Sequence, residues 1–288
     1  MRGCAFEDGL RLWRLVRFRA RFDLVVEEAP LVAAREVAAA GGLAGVSAER
    51  RLAELAGLLS RPGARDGLAL AHDLRLWPPT DACPPSEGVA RLELARGLGD
   101  PPPLAAVLAA LFVPLTADPA LRTPSDEKHT PWGYRARDYV AKSLRGSREL
   151  ALGVAGRVDA FVRLVRIAAA RLEGSATQRS DRLRVLREEG AGDALRLAEA
   201  ARPDLAAALA EFRAERSALT RTDLFPAPLL AAEDLAAAAI PRGPRWGELL
   251  REAEDAQLDG ELRTREDALA WLAAQDGGNT RRSDQPRP

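Results

Sequence analysis

The sequence predicts an all-α fold, and three observations lead there. Alanine, leucine, arginine and glutamate recur at intervals of three and four, long alternating β-branched runs are scarce, and Pro- and Gly-containing breaks separate the periodic stretches. With 288 residues and 47% hydrophobic content, the chain can bury a sizeable core, divided into two or three helical modules.

The elements follow in order. The first helix is expected from near Glu7 and carries Leu10, Leu12, Leu15, Val16, Phe18 and Phe22. A second spans much of Ala29–Ala40 and stops at Gly41-Gly42. Ser47 stands where it caps a third, which brings Leu52, Leu55, Leu58 and Leu59 toward a neighbour. Pro62-Gly63 forms a hinge, and Leu68, Leu70 and Leu74 resume the pattern until Trp77-Pro78-Pro79 ends it. Another helix is expected over Glu87–Gly97, before the triple proline at 101–103. The apolar run 104–112 is too short to span a bilayer and reads as a buried helix. Pro114–Trp132 shows no organised pattern. Helices return over Tyr134–Lys142 and Glu149–Leu172 and, past a polar break at 174–180, over Asp181–Glu189, Ala191–Ala201 and Asp204–Leu219. Prolines at 226, 228 and 241 precede the last two helices, Arg245–Leu258 and Thr264–Ala274, and a polar tail. No repeat is regular enough for a solenoid.

Charge and cysteine usage narrow the function. Lys plus Arg and Asp plus Glu both total 42, so the chain is not basic overall, although a local basic surface remains compatible with that balance. Cys4 and Cys83 give neither a disulfide pattern nor a zinc cluster, and two histidines leave little for metal ligation. His72-Asp73 and Lys128-His129 read as packing or surface residues. No transmembrane stretch or signal-peptide core is present, so no membrane partner is expected and a cytoplasmic location is the default.

The most informative segment is Phe6-Glu7-Asp8-Gly9-Leu10-Arg11, continued by Leu12-Trp13-Arg14-Leu15-Val16-Arg17-Phe18. A spacing of three puts Asp8 and Arg11 on adjacent parts of one helix surface. A carboxylate accepts a hydrogen bond where a guanidinium donates several in a fixed fork, so the pair can match the pairing edge of cytosine or adenine. Spacing alone fits an ordinary solvated helix start better. Arg11, Arg14, Arg17 and Arg21 form a basic stripe, either a guide for phosphates or a wet face opposite the core. Trp13 and Phe18 fit a core role better than base stacking.

With Glu7-Asp8-Gly9-Leu10-Arg11, Arg14 and Arg17-Phe18 in view, the segment resembles the nucleotide-selecting motif and neck helix of bacterial class II tRNA nucleotidyltransferases and poly(A) polymerases. Ser47-Ala48-Glu49-Arg50 and the following helix resemble a second, structural neck element. Asp223-Leu224-Phe225-Pro226, Glu233-Asp234-Leu235, Pro241-Arg242-Gly243-Pro244-Arg245-Trp246-Gly247, Ala256–Leu262 and Thr264–Leu269 resemble the tail of bacterial CCA-adding enzymes. The resemblance runs from about residue 5 to residue 272 and is weak in the middle.

The resemblance implies an elongated multi-helical neck, body and tail: a neck over 1–61, a body over 62–175, a tRNA-binding tail over 176–274, and a disordered terminus over 275–288. It implies that Asp8 and Arg11 act as a template for incoming CTP or ATP, with Glu7 positioning them and Arg14 beside them. Arg17, Arg21, Arg242 and Arg245 would face RNA, and the partner would be the acceptor region of tRNA. The family's head, with its glycine-serine loop and magnesium-holding Asp-x-Asp pair, has no counterpart in this sequence. Mg2+ is therefore expected only with a separate or missing head, no catalytic or metal-binding residue is assigned here, and the chain alone is expected to be inactive. Whether it counts as an enzyme stays open, as do poly(A) addition, a non-catalytic RNA-binding adaptor and a helical scaffold.

Overall fold

The computed structural model describes residues 9–22, 24–41, 45–61, 63–76, 103–114 and 130–279. Every regular element among the described residues is helical. Helices α1 (Gly9–Phe22), α2 (Glu28–Ala39), α3 (Ala48–Leu59) and α4 (Ala64–Asp73) come first. Next are α5 (Leu104–Ala110), α6 (Pro131–Asp138), a π-helical turn (Tyr139–Ser143) and the long α7 (Arg148–Leu172). Then come α8 (Arg179–Leu186), α9 (Ala191–Ala201), a 3-10 turn (Pro203–Leu205) and α10 (Ala206–Ala218). The short α11 (Arg221–Leu224) and α12 (Ala232–Ala237) lead to α13 (Pro244–Asp259) and α14 (Arg265–Asn279). The expected helix over Glu87–Gly97, the expected terminus over 280–288, Cys4, Cys83 and His129 lie outside the described residues.

Helix α1 forms because Leu12, Trp13, Val16 and Ala20 recur on one face, and all four are buried. That face is covered by α3 and α4, which supply Leu55, Leu58, Leu68 and Ala71. Gly67 on α4 permits the close approach: a Cβ there would stand 2.3 Å from the Leu58 Cδ1 and 2.9 Å from the Ala20 Cβ. The third helix starts as its sequence dictates, with the Ser47 Oγ accepting a hydrogen bond from the Arg50 backbone N–H at 3.4 Å. Phe22 departs from the sequence expectation, standing 55% exposed rather than packed in the core. It lies at the last position of α1, past the turn that α3 and α4 cover.

Helix α7 is the axis of the middle of the chain. Helices α5, α6, α8, α9 and α10 all pack against it. Val158, Asp159, Ala160, Phe161 and Val162 are consecutive and all buried, so its central turn meets protein on every side. A buried carboxylate in that turn needs donors, and Asp159 has them: its Oδ1 accepts from the Thr130 backbone N–H at 2.7 Å and from the Thr130 hydroxyl at 2.6 Å. The Thr130 Oγ1 in turn accepts from the Gly133 N–H at 3.1 Å and so caps α6. Gly133 has no alternative there, since a Cβ would fall 2.1 Å from the Asp159 Oδ1.

One continuous buried cluster runs from Leu12 to Phe212, and a second, smaller one runs from Leu230 to Leu272. Polar contacts join them. Asp259 at the end of α13 accepts from the Ser180 backbone N–H at 2.7 Å and the Ser180 hydroxyl at 2.8 Å. Arg184 reaches Asp255 at 2.5 Å and Glu254 at 2.7 Å, and Arg187 reaches Glu254 at 2.7 Å. Burial pulls the Glu254 carboxyl upward, but the hydrogen bond from Arg187 and the charge of Arg184 outweigh it and hold it below its ordinary value.

Two outcomes follow from these contacts. Asp159→Ala strands the Thr130 donors and opens a void beside Gly133, and equilibrium urea unfolding is expected to lose about 3 kcal/mol. Because the Glu254 carboxyl is depressed on folding, its stabilisation is present above its ordinary pKa of 4.5 and is lost as pH falls through the lower folded value. Hydrogen exchange should therefore rise in α13 on acidification before it rises in α7, and Glu254→Gln should reproduce part of the rise at neutral pH.

Candidate functional site

The arginine stripe of α1 is divided by its neighbours. Arg11, Arg14 and Arg21 are exposed. The Arg17 Nε lies 2.7 Å from the Glu54 Oε2 on α3, and the Arg14 Nε approaches the same carboxylate at 4.0 Å. Glu54 is only 14% exposed, and the Arg17 stem crosses Gly57, where a Cβ would meet its Cδ at 3.1 Å. Arg17 is thus the structural member of the stripe, tied to α3 by charge and by packing. Arg19 pairs with Asp66 on α4 at 3.5 Å.

The aromatics separate in the same way. Trp13 is 2% exposed and belongs to the core, as its spacing predicts. Phe18 and Phe22 stand at the surface with ring centroids 5.9 Å apart, under the guanidinium groups of Arg17 and Arg21 at 5.2 and 4.9 Å. Exposed rings with adjacent cations have the chemistry to stack with a planar group, and Phe18 is at the surface rather than in the core where it was expected. Glu7 and Asp8, the acidic half of the selecting motif, lie outside the described residues.

The second group of sequence-selected arginines flanks the start of α13. The Arg242 guanidinium lies 5.4 Å from the Trp246 ring centroid, and the Trp246 indole N–H donates to the Ile240 carbonyl at 3.1 Å. Pro244 occupies the first turn of α13, where its missing N–H costs nothing. Arg245 turns along its own helix toward Glu248 and Glu252 at 3.3 and 3.4 Å. Both arginines are exposed. Arg11, Arg14, Arg17 and Arg21 share α1, which packs with α2, α3 and α4, whereas α13 packs with α8 and α12. The two groups are therefore built on different helix sets.

His72-Asp73 does not open toward a metal. Asp73 accepts from the Arg35 Nε at 3.1 Å and its NH2 at 2.7 Å, pinning the end of α4 to α2. Among the described residues no three His, Cys, Asp or Glu side chains gather as a metal site, and no helix is long and apolar enough to cross a membrane.

Sequence reasoning missed one cavity altogether. A cleft of about 710 Å³ opens between the start of α3, the end of α4 and the π-helical turn. Arg51, Arg75, Lys142 and Arg145 line it, with Glu49 and Tyr139. Burial pushes the Tyr139 phenol above its ordinary pKa, so it stays neutral. No local pattern signals this cleft, because its cations come from three segments that only the fold brings together.

Comparison with solved structures aligns the chain with a CCA-adding enzyme determined in complex with CTP, at 18% identity and a TM-score of 0.56. The alignment covers 93% of this chain and 60% of that one, so the chain spans less than two thirds of the enzyme's length. At that identity the likeness establishes a shared helical fold. No protein-family profile and no curated protein matches the sequence.

The ion pair beneath α1 carries a testable consequence. Glu54→Ala leaves the partly buried Arg17 without its carboxylate, and thermal or urea unfolding is expected to register a loss of about 1–3 kcal/mol. Arg14→Ala, at an exposed position, should cost under about 0.5 kcal/mol in the same measurement.

Proposed function

We propose that this chain is the nucleotide-selecting and tRNA-binding part of a CCA-adding nucleotidyltransferase, acting with a catalytic head. The observation that carries the reading is the fold shared with a CTP-bound CCA-adding enzyme over 93% of this chain, together with the Glu7–Arg11 motif at the start of α1. In this reading the chain has a neck, a body and a tail. Asp8 and Arg11 read the pairing edge of CTP or ATP, Glu7 positions them, and Arg14 borders the nucleotide. The exposed position of Arg11 and Arg14 supports that role, since a template must face its ligand.

The remaining contacts fall to the tRNA acceptor region. Arg21, with Phe22 beneath its guanidinium, and Arg242, over Trp246, each pair a cation with an aromatic face. Such pairs suit a phosphate next to an unstacked base. Arg245 adds charge at the start of α13, while Arg17 contributes mainly by holding α1 on α3. Mg2+ would compensate charge on the transferring phosphates and belongs to the head. This chain selects and holds.

Two measurements test the reading. The chain alone should bind tRNA with a salt-dependent affinity and incorporate no CMP or AMP; incorporation by the purified chain would overturn the division of labour. Supplied with a head, Asp8→Ala and Arg11→Ala should reduce the preference for CTP and ATP over GTP and UTP by at least about tenfold with little change in melting temperature. Equal use of the four nucleotides by the unmutated assembly would sink the template.

A further inference from the structure

We infer that the cleft between α3, the end of α4 and the π-helical turn is a binding site for a phosphate group, borne by a small phosphorylated ligand or by an RNA backbone. It rests on the cleft's own chemistry and stands whether or not Asp8 and Arg11 select nucleotides.

The charge in the cleft is one-sided. Four cations, Arg51, Arg75, Lys142 and Arg145, line it against a single carboxylate, Glu49. That carboxylate is held below its ordinary pKa first by hydrogen bonds from its own backbone N–H and the Ser47 side chain at the α3 cap, and then by the charges of Arg145 and Arg51, which it offsets in part. Lys142 is matched by Asp138 at 2.8 Å on the turn before it. The Arg75 side chain has no hydrogen-bond or ion-pair partner among the described residues. Cations gathered in a concave wall focus their field on the space between them, and guanidinium forks match phosphate oxygens.

Arg51 adds a buried donor. Its NH2 reaches the Ser143 carbonyl at 3.4 Å, while its Nε is buried without a hydrogen-bond partner among the described residues. The contact with the Ser143 carbonyl ties the Arg51 guanidinium to the π-helical turn and so fixes its charge in the cleft wall.

The backbone aims two of these cations. Arg75 ends α4 at φ 54° and Arg145 follows the π-helical turn at φ 50°, both in the left-handed region that glycine favours. The Leu76 N–H reaches back to the Ala71 carbonyl at 2.7 Å, and the Gly146 N–H to the Val140 carbonyl at 2.9 Å, so both reversals are tightly closed. The two turns thus bring both arginines to one cleft, where they line it with Arg51 and Lys142. A π-helical turn in the wall fits the same reading, since such turns concentrate at ligand sites.

The left-handed turns also supply a clean test. Arg75→Gly with Arg145→Gly removes two cations and places the favoured residue at each turn, so the variant should fold, as a circular dichroism melt will verify. Calorimetric titration of the full chain at low salt uses inorganic pyrophosphate and, separately, an unstructured oligouridine strand. A control variant, Arg221→Ala with Arg263→Ala, removes equal charge elsewhere. The glycine pair should weaken binding by at least about tenfold while the control changes it less than about twofold. Loss for pyrophosphate assigns the site to a small phosphorylated ligand; loss for the strand alone, with a shallower salt dependence, assigns it to an RNA backbone. Unchanged binding of both probes, equal loss in the control, or no binding of either probe by the unmutated chain overturns the proposal.

Discussion

A carboxylate buried in the most crowded turn of the longest helix organises the middle of this molecule. Asp159 is 1% exposed on α7, between the buried Val158 and Ala160 in sequence, and Thr130 brings it two donors. The same threonine caps α6, and Gly133 lets α6 lie against the carboxylate with no side chain between. The entry of α6, the π-helical turn that continues it and the connection into α7 therefore depend on one polar contact across 29 positions of sequence. The cleft wall contributed by Tyr139, Lys142 and Arg145 inherits its position from that anchor.

Arginine is used here in three distinct ways. Some arginines are joints: Arg157 holds Asp193 on α9 at 2.8 Å with both side chains about one tenth exposed, and Arg184 and Arg187 fasten α8 to α13. Some are braces with a charged tip, as Arg17 is against Glu54. The rest face solvent or the cleft. An equal total of acidic and basic residues is compatible with locally basic surfaces, because placement rather than the total sets the local field, as in the cleft where four cations line up against one carboxylate. The joints also explain how a small second core can stay docked on a larger one through polar contacts, a kind of junction that pH and salt can loosen.

Much of the helical skeleton was legible in the sequence. Ser47 caps α3 as its position predicts, Ala191–Ala201 matches the expected helix end to end, and the long helix ends at Leu172 where its apolar period stops. The stretch before Trp132 does hold a local helix start, Thr130 as the cap and Pro131 in the first turn, whereas the contact from Thr130 to Asp159 has no local signature. Phe18 was misjudged for a different reason: it lies on the side of α1 opposite Leu12, Trp13, Val16 and Ala20, the face that α3 and α4 cover.

What the sequence determined by itself was the all-α class and most of the longer helices with several of their caps and breaks, since each follows from residues within a few positions of one another. The tertiary structure decided which arginines became joints and which stayed exposed, that α4 closes over α1 and α3, and that Arg51, Arg75, Lys142 and Arg145 meet around one cavity. Those outcomes depend on distances between segments far apart in the chain. Helical periodicity fixes the direction of a side chain on its own helix but carries no information about what lies opposite it.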